Sequence, residues 1–431
     1  MTLTRTTLPN GLRVFLQEMH TAPLISQWLW FKTGSRDEAP GRTGASHWVE
    51  HMLFKGTPRF PGGLLDKAIS RQGGYWNAMT YLDWTTYYET MPAAQIDLAL
   101  ELEADRFTNA TFLPADVESE RTVILSERQG NENSPLFKLD EAIQNAAYKN
   151  HGYHHEVIGH TADLQSMTRD DLYDHYRTHY VPANAVLALS GDFETGPLLE
   201  RIRELYEPIP AAPEPPRPHR PEPEPEGEQR LTVEGPGETA FVHATYRAPH
   251  ANDPDFHAHM VLDSLLTGPS NLNMFGGGIS NKTSLLYQTL VDGEIAVSIA
   301  GGLQATLDPF LYTLHQTVHP ARTPEEAIAA LDEQIDAVQA SAPSEAEVAR
   351  AVKQARALFA YGSESISNQA FWLGFSEMLG GYEWFETYLD RLAAVTPADV
   401  QRAAQTWLAP HRRIIGTYIP DGRPLAEGED E

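Results

Sequence analysis

The chain contains no cysteine, which removes disulfides, thiolate metal sites and cysteine nucleophiles from consideration together. Any zinc it holds must be bound by imidazole and carboxylate. It also lacks a run of about 18 apolar residues, the length a helix needs to span a bilayer, so no membrane partner is expected. The opening residues carry no apolar signal core ahead of the strand pattern at 12–16, and a cytoplasmic location is the expectation. Positive charge is scarce. The 32 Lys and Arg stand against 59 Asp and Glu, a formal net charge of −27. Such a field repels phosphates and argues against nucleic acid, while favouring neutral or basic peptides.

What remains is the material of a folded protein. At 431 residues with 41% hydrophobic content, the chain exceeds one ordinary core and predicts two or more domains. Nine prolines fall within 208–225, alternating with Glu, Ala and Arg. That density forbids helix and favours an extended spacer. It divides the chain into an N-terminal domain, 1–207, a linker, 208–230, and a C-terminal domain, 231–431.

The two halves read as copies of one unit. Thr168 and Thr396 each precede a helical pattern, with Asp171 and Asp399 three positions on, and Pro182 and Pro410 follow at the same interval. Ser/Thr caps and terminal prolines have those places for physical reasons: the hydroxyl accepts an orphan N–H, and proline stops propagation. Strands 185–189 and 414–418 follow, and strands 25–31 and 239–246 lead into helices. Further helical periodicity lies at 64–71, 94–108, 114–130 and 324–339, with strand patterns at 75–79 and 85–91. The mixture predicts an α+β protein of sheets covered by helices.

His47-Trp48-Val49-Glu50-His51 carries the chemistry. On a helix, residues four apart are neighbours, roughly 5–6 Å between Cβ atoms, so both imidazoles can reach one ion. Glu50, three positions after His47, projects to the same face and can reach a metal-bound water without ligating. In a chain with 17 histidines, this pentapeptide arises by chance with a probability below roughly 0.1, so a third ligand has to be found. Glu120 and Glu127, seven apart on a predicted helix, share a face. One can ligate while the other orients a histidine; equally, both can be solvated glutamates on an amphipathic surface. Spacing does not choose. Placing Leu266-Thr267-Gly268 opposite Phe54-Lys55-Gly56 sets His259 opposite His47, but Asp263 opposite His51 and Leu262 opposite Glu50. The second copy keeps the scaffold and lacks the site.

His-x-x-Glu-His is the inverted zincin order. Its flanks, Gly44-Ala45-Ser46 and Met52-Leu53-Phe54-Lys55-Gly56-Thr57, together with Gly73-Gly74-Tyr75-Trp76-Asn77-Ala78-Met79-Thr80 and Glu120-Arg121 through Glu127, resemble the pitrilysin/insulinase family of metallopeptidases, in particular bacterial processing-peptidase-like subunits. The resemblance covers nearly the whole chain, strongly in the first half and thinly in the second. It implies two homologous domains, each a mainly antiparallel sheet with flanking helices, enclosing a cavity. It implies one Zn²⁺ per chain held by His47, His51 and Glu127, with Glu120 as the supporting glutamate. It implies a zinc-dependent endopeptidase or oligopeptidase whose metal-bound water is activated by Glu50. A non-catalytic scaffold or assembly subunit of a peptidase-like complex is the alternative, and the intact four-residue set weighs against it.

Strand 75–79, read from its residues, is ordinary sheet; the resemblance makes it an edge strand on which an extended peptide adds, with Asn77 and Ala78 contacting substrate. The second half departs from the pattern. Gly276-Gly277-Gly278-Ile279-Ser280-Asn281 and Ser284-Leu285-Leu286-Tyr287 resemble the family's glycine-rich loop and following helix. Active relatives then place an Arg and a Tyr on the substrate carbonyl, whereas here 291–299 contains neither, and Tyr287 lies too early to replace them. The implied partner is a homologous subunit that lacks the zinc motif and supplies the pair, making a heterodimer; a homodimer using other groups is the alternative. His151, His154, His155 and His160 are read as surface or substrate-lining residues. His315 and His319, four apart without an acidic partner, are read as surface histidines.

Overall fold

The computed structural model describes residues 3–217, 220–275 and 281–424. Gly276, Gly277, Gly278, Ile279 and Ser280, likened above to a glycine-rich loop, lie outside the described residues. Two sheets form, each the centre of its own compact unit.

In the first unit six strands, β1 (Leu3–Thr7), β2 (Arg13–Glu18), β3 (Leu24–Phe31), β4 (Tyr75–Thr80), β5 (Thr85–Pro92) and β6 (Ala185–Gly191), align in the order β1-β2-β6-β3-β5-β4. Only β2 and β6 run parallel; the other neighbours are antiparallel. β3 is buried at all but its first position, as a strand covered on both faces must be. On one face Trp28 and Trp30 meet the Phe371 ring at 5.5 and 5.4 Å. On the other, Phe31 meets Phe107 and Tyr180 at 4.9 and 4.2 Å. Large interlocking rings of this kind bury 150–250 Å² each and dominate core energetics.

In the second unit β7 (Gln229–Gly235), β8 (Phe241–Arg247), β9 (Ala296–Gly302), β10 (Leu311–Val318) and β11 (Arg413–Pro420) align as β7-β11-β8-β10-β9. The β7–β11 pair is parallel and the rest antiparallel. Strand for strand this repeats β2-β6-β3-β5-β4, so the sequence repeat is a repeat of topology, and the fold is α+β. The predicted caps form: Thr168 and Thr396 each accept the N–H three residues on, and the Asp171 and Asp399 carboxylates reach back, as complete capping boxes.

The compact units are not the contiguous ranges 1–207 and 231–431. They exchange segments: residues 129–154 join the second sheet's unit, and 364–385 join the first. The reason lies in the helix Ile366–Leu379, buried at every position from Ala370 to Leu379. This mostly apolar, enclosed stretch packs on β3 and β6, where a Cβ on Gly374 would stand 2.1 Å from Trp30 Nε1. None of the helical patterns read in the sequence covers these residues, and nothing local says which sheet encloses them. The counterpart helix Pro135–Ala147 packs on β11 and β8.

The described residues of 210–226 form neither helix nor strand, in line with their proline content, but they are not a free tether. The Glu222 carboxylate accepts the N–H groups of Lys149, Asn150 and His151 at 2.9, 2.7 and 2.9 Å. Among the described residues no helix is long and apolar enough to cross a membrane.

Candidate metal centre

The helix Ala45–Leu53 buries Trp48, Val49, Met52 and Leu53, which leaves His47 and His51 on its open face. Its N-terminus is set by two residues outside it. Gly44 has φ +89°, and a Cβ there would stand 2.5 Å from the Ile158 carbonyl oxygen, so glycine is required. With no side-chain cap at Gly44, the buried Glu38 carboxylate accepts the N–H groups of Gly44 and Ser46 at 2.8 and 2.7 Å. That satisfies orphan donors at the start of the helix. The helix Pro114–Glu132 is fastened alongside by the Arg121 guanidinium, 4.8 Å from the centre of the Trp48 ring and bonded to the Met167 carbonyl at 2.9 Å.

This packing brings the predicted residues together. His47 Nε2 lies 3.9 Å and His51 Nε2 3.8 Å from the two oxygens of Glu127, and the three donor atoms fall within 4.8 Å of one another. Tetrahedral nitrogen and oxygen ligands of zinc stand about 3.3–3.5 Å apart, so these two separations lie a few tenths of an ångström beyond those around a bound ion. His51 Nδ1 donates to Glu120 Oε1 at 2.8 Å, which fixes the tautomer and leaves the Nε2 lone pair facing Glu127. Lys55 pairs with the other Glu120 oxygen. The two glutamates left equivalent by spacing thus differ in place: Glu120 is buried behind His51, whereas the Glu127 side chain is 42% exposed. Glu50, buried, accepts from Thr80 Oγ1 at 2.5 Å.

The electrostatics suit a cation. Burial, with His51 beside it, lowers His47 to about 3, so it is neutral and free to ligate. For His51 burial pulls down, but the Glu120 hydrogen bond and the Glu50, Glu120 and Glu127 carboxylates outweigh it and the net direction is upward. Burial raises Glu50 to about 7 against the opposing Thr80 bond and His51 charge. Glu127 is likewise raised by burial. Carboxylates held up by desolvation and a neighbouring negative charge are those a divalent ion would relieve.

Asn77 and Ala78 lie on β4, which ends the first sheet and pairs only with β5. Asn77 is exposed, and its Oδ1 accepts the Ala78 N–H at 2.8 Å. Three residues that shape the centre went unassigned in the sequence: Glu38, Lys55 and Thr80. Lys55 and Thr80 stand inside the motif stretches, so their neighbourhood was a signal; Glu38 has none, because its role depends on a turn that returns it to the helix start. His155, read in the sequence as a surface or substrate-lining residue, is buried with Nε2 3.5 Å from Glu38.

Comparison with known proteins identifies the family. Residues 13–161 match the insulinase (peptidase family M16) domain, and residues 166–355 the peptidase M16 inactive domain. An uncharacterized zinc protease of Mycobacterium tuberculosis is 30% identical over 94% of this chain and 90% of its own length. A probable mitochondrial-processing peptidase subunit beta of Arabidopsis thaliana is 30% identical over 68% of this chain and 55% of its own. Among solved structures, a protease from Helicobacter pylori matches with a TM-score of 0.89 at 26% identity, covering 97% of this chain and 99% of that one. The chain belongs to the insulinase family of peptidases, family M16.

Proposed function

We propose that the protein is a zinc-dependent peptidase in which His47, His51 and Glu127 hold one ion, Glu50 is the general base and Glu120 orients His51. The observation that carries this reading is the convergence of three donors from two helices beside a buried carboxylate that is not among them. When bound, zinc supplies Lewis-acid polarisation of a scissile carbonyl and acidifies water. The chain's own residues do the rest. Glu50, anchored by Thr80, takes the proton of the attacking water and returns it to the leaving amine. An extended peptide adds to the outer edge of β4, with Asn77 and Ala78 supplying contacts beside the helix Ala45–Leu53. Zinc analysis and peptide hydrolysis on the wild type, His51→Ala and Glu50→Gln test the assignment. His51→Ala should lose metal and activity together, and Glu50→Gln should lose activity alone. A Glu50→Gln protein that turns over at the wild-type rate would remove Glu50 from the role.

A second proposal concerns partners. Residues 291–299 pass from a single π-helical turn, Tyr287–Val291, into β9 without an Arg or Tyr to hold a substrate carbonyl. A homologous subunit that lacks the zinc motif would provide that pair, which favours a heterodimer over a self-sufficient homodimer. Full activity of the purified chain alone, unchanged by any such subunit, would dispose of it.

A further inference from the structure

The second unit carries a second group of side chains of metal-ligating type, which shares no residue with the first. His243 on β8 and His315 on β10 are a directly opposed cross-strand pair, and Asp140 stands over them on the helix Pro135–Ala147. His243 Nδ1 donates to Asp140 Oδ1 at 2.8 Å, while His243 Nε2 and His315 Nδ1 are 3.3 Å apart. The helix reaches that position because the other neighbour of His243 is Gly416. A Cβ there would meet Ile143 Cδ1 at 2.6 Å, so glycine lets the helix lie close to the sheet and lowers Asp140 onto His243.

The duplication makes the group conspicuous. Ala188 and Gly416 follow the capping threonines Thr168 and Thr396 at the same interval. Ala188 pairs with Trp28, which pairs in turn with Tyr88. Those two rings stack at 4.1 Å, and Trp28 meets Phe371 of the covering helix. Where the first unit has three aromatic rings, the second has two imidazoles and a carboxylate. Apolar packing is the ordinary solution at such a place, and the polar set is costly unless its groups are satisfied.

We propose that Asp140, His243 and His315 form a second divalent-cation site. Imidazole and carboxylate donors suit Zn²⁺. His243 Nε2 and His315 Nδ1 are the ligands, Asp140 fixes the His243 tautomer as carboxylates behind metal-bound histidines do, and water completes the shell. Two nitrogens bound to a tetrahedral zinc stand about 3.3–3.4 Å apart, which is the 3.3 Å observed. The two nitrogens share a hydrogen bond, with ring centres 4.4 Å apart and planes at 85°; a divalent ion would take the place of the shared proton.

Equilibrium dialysis of the full chain against Zn²⁺ tests this in a background that lacks the first centre. The His47→Ala/His51→Ala protein should still bind one zinc. Adding His315→Gln should weaken that binding at least tenfold, and adding Asp140→Asn instead should weaken it by roughly 10–100-fold; near-ultraviolet and far-ultraviolet circular dichroism check that each variant is folded. No zinc bound by the double variant, or zinc bound equally well with His315→Gln and Asp140→Asn, would overturn the site and leave a hydrogen-bonded relay in its place. Neither result bears on the first centre, which is read from the wild type against His51→Ala.

Discussion

The helices Ala45–Leu53 and Phe256–Leu266 hold corresponding places in a duplicated fold and treat water in opposite ways. The first keeps the His47 and His51 side chains 14% and 22% exposed. The second encloses His259 and Asp263 completely. Asp263 there accepts the hydroxyls of Thr267 and Tyr312 at 2.9 and 2.8 Å, and that of Ser270 as well. Burial pushes its carboxyl upward against those bonds. A potential ligand whose oxygens are already taken by three hydroxyls is a structural residue. The lesson is that duplication conserves a scaffold, while chemistry persists only where donors remain both unspent and reachable.

Several substitutions would break or sharpen this contrast. The largest effect is expected from Glu127→Ala, which should lower zinc content by one equivalent and abolish peptide hydrolysis, while His259→Ala leaves both unchanged; metal analysis and a peptide assay decide. Glu50→Gln should keep its zinc and lose turnover by about 10²–10⁴-fold, whereas Leu262, at the matching place, has no proton to move. Glu120→Gln should weaken zinc binding by roughly 10–100-fold through His51, seen in competition with a chelator. Asp263→Ala, in the second unit, should instead leave turnover alone and lower stability by about 1–3 kcal/mol, because three buried hydroxyls lose their acceptor; denaturant unfolding measures it.

The smallest effect concerns the repeated caps. The Thr396 hydrogen bond, followed by Arg402, lowers Asp399 to about 2 from an ordinary 3.8. The native state thus favours the ionised form, so the stabilisation is complete above about pH 4 and disappears as pH falls through about 2. The stability gap between wild type and Asp399→Asn should close across that window. A gap that persists at the acid end would show that the cap does not depend on charge.

Much of the first centre was legible because its parts are local. His47, Glu50 and His51 lie within five residues, and helical spacing puts them on one face; Glu120 and Glu127 share a face for the same reason. What spacing could not decide was which glutamate faces the histidines. That followed from the Arg121 contact with Trp48, which sets the rotation of one helix against the other. The second group was illegible for a related reason. His315 was compared with His319, its neighbour at helical spacing, but it lies on a strand, where neighbours are found across the sheet. Its partners His243 and Asp140 are set by β-register and by the glycine that admits the helix.

From the sequence alone came part of the element types, the capped repeat, the α+β class and the two-histidine motif, since each depends on periods of two or about 3.6 residues and on caps within a few positions. The tertiary structure decided which sheet covers the buried helix Ile366–Leu379, which glutamate stands beside both imidazoles, and where Asp140 meets two histidines. Those are contacts between residues tens to hundreds of positions apart. They are selected by packing shape and by the satisfaction of buried polar groups, neither of which leaves a periodic trace in the chain.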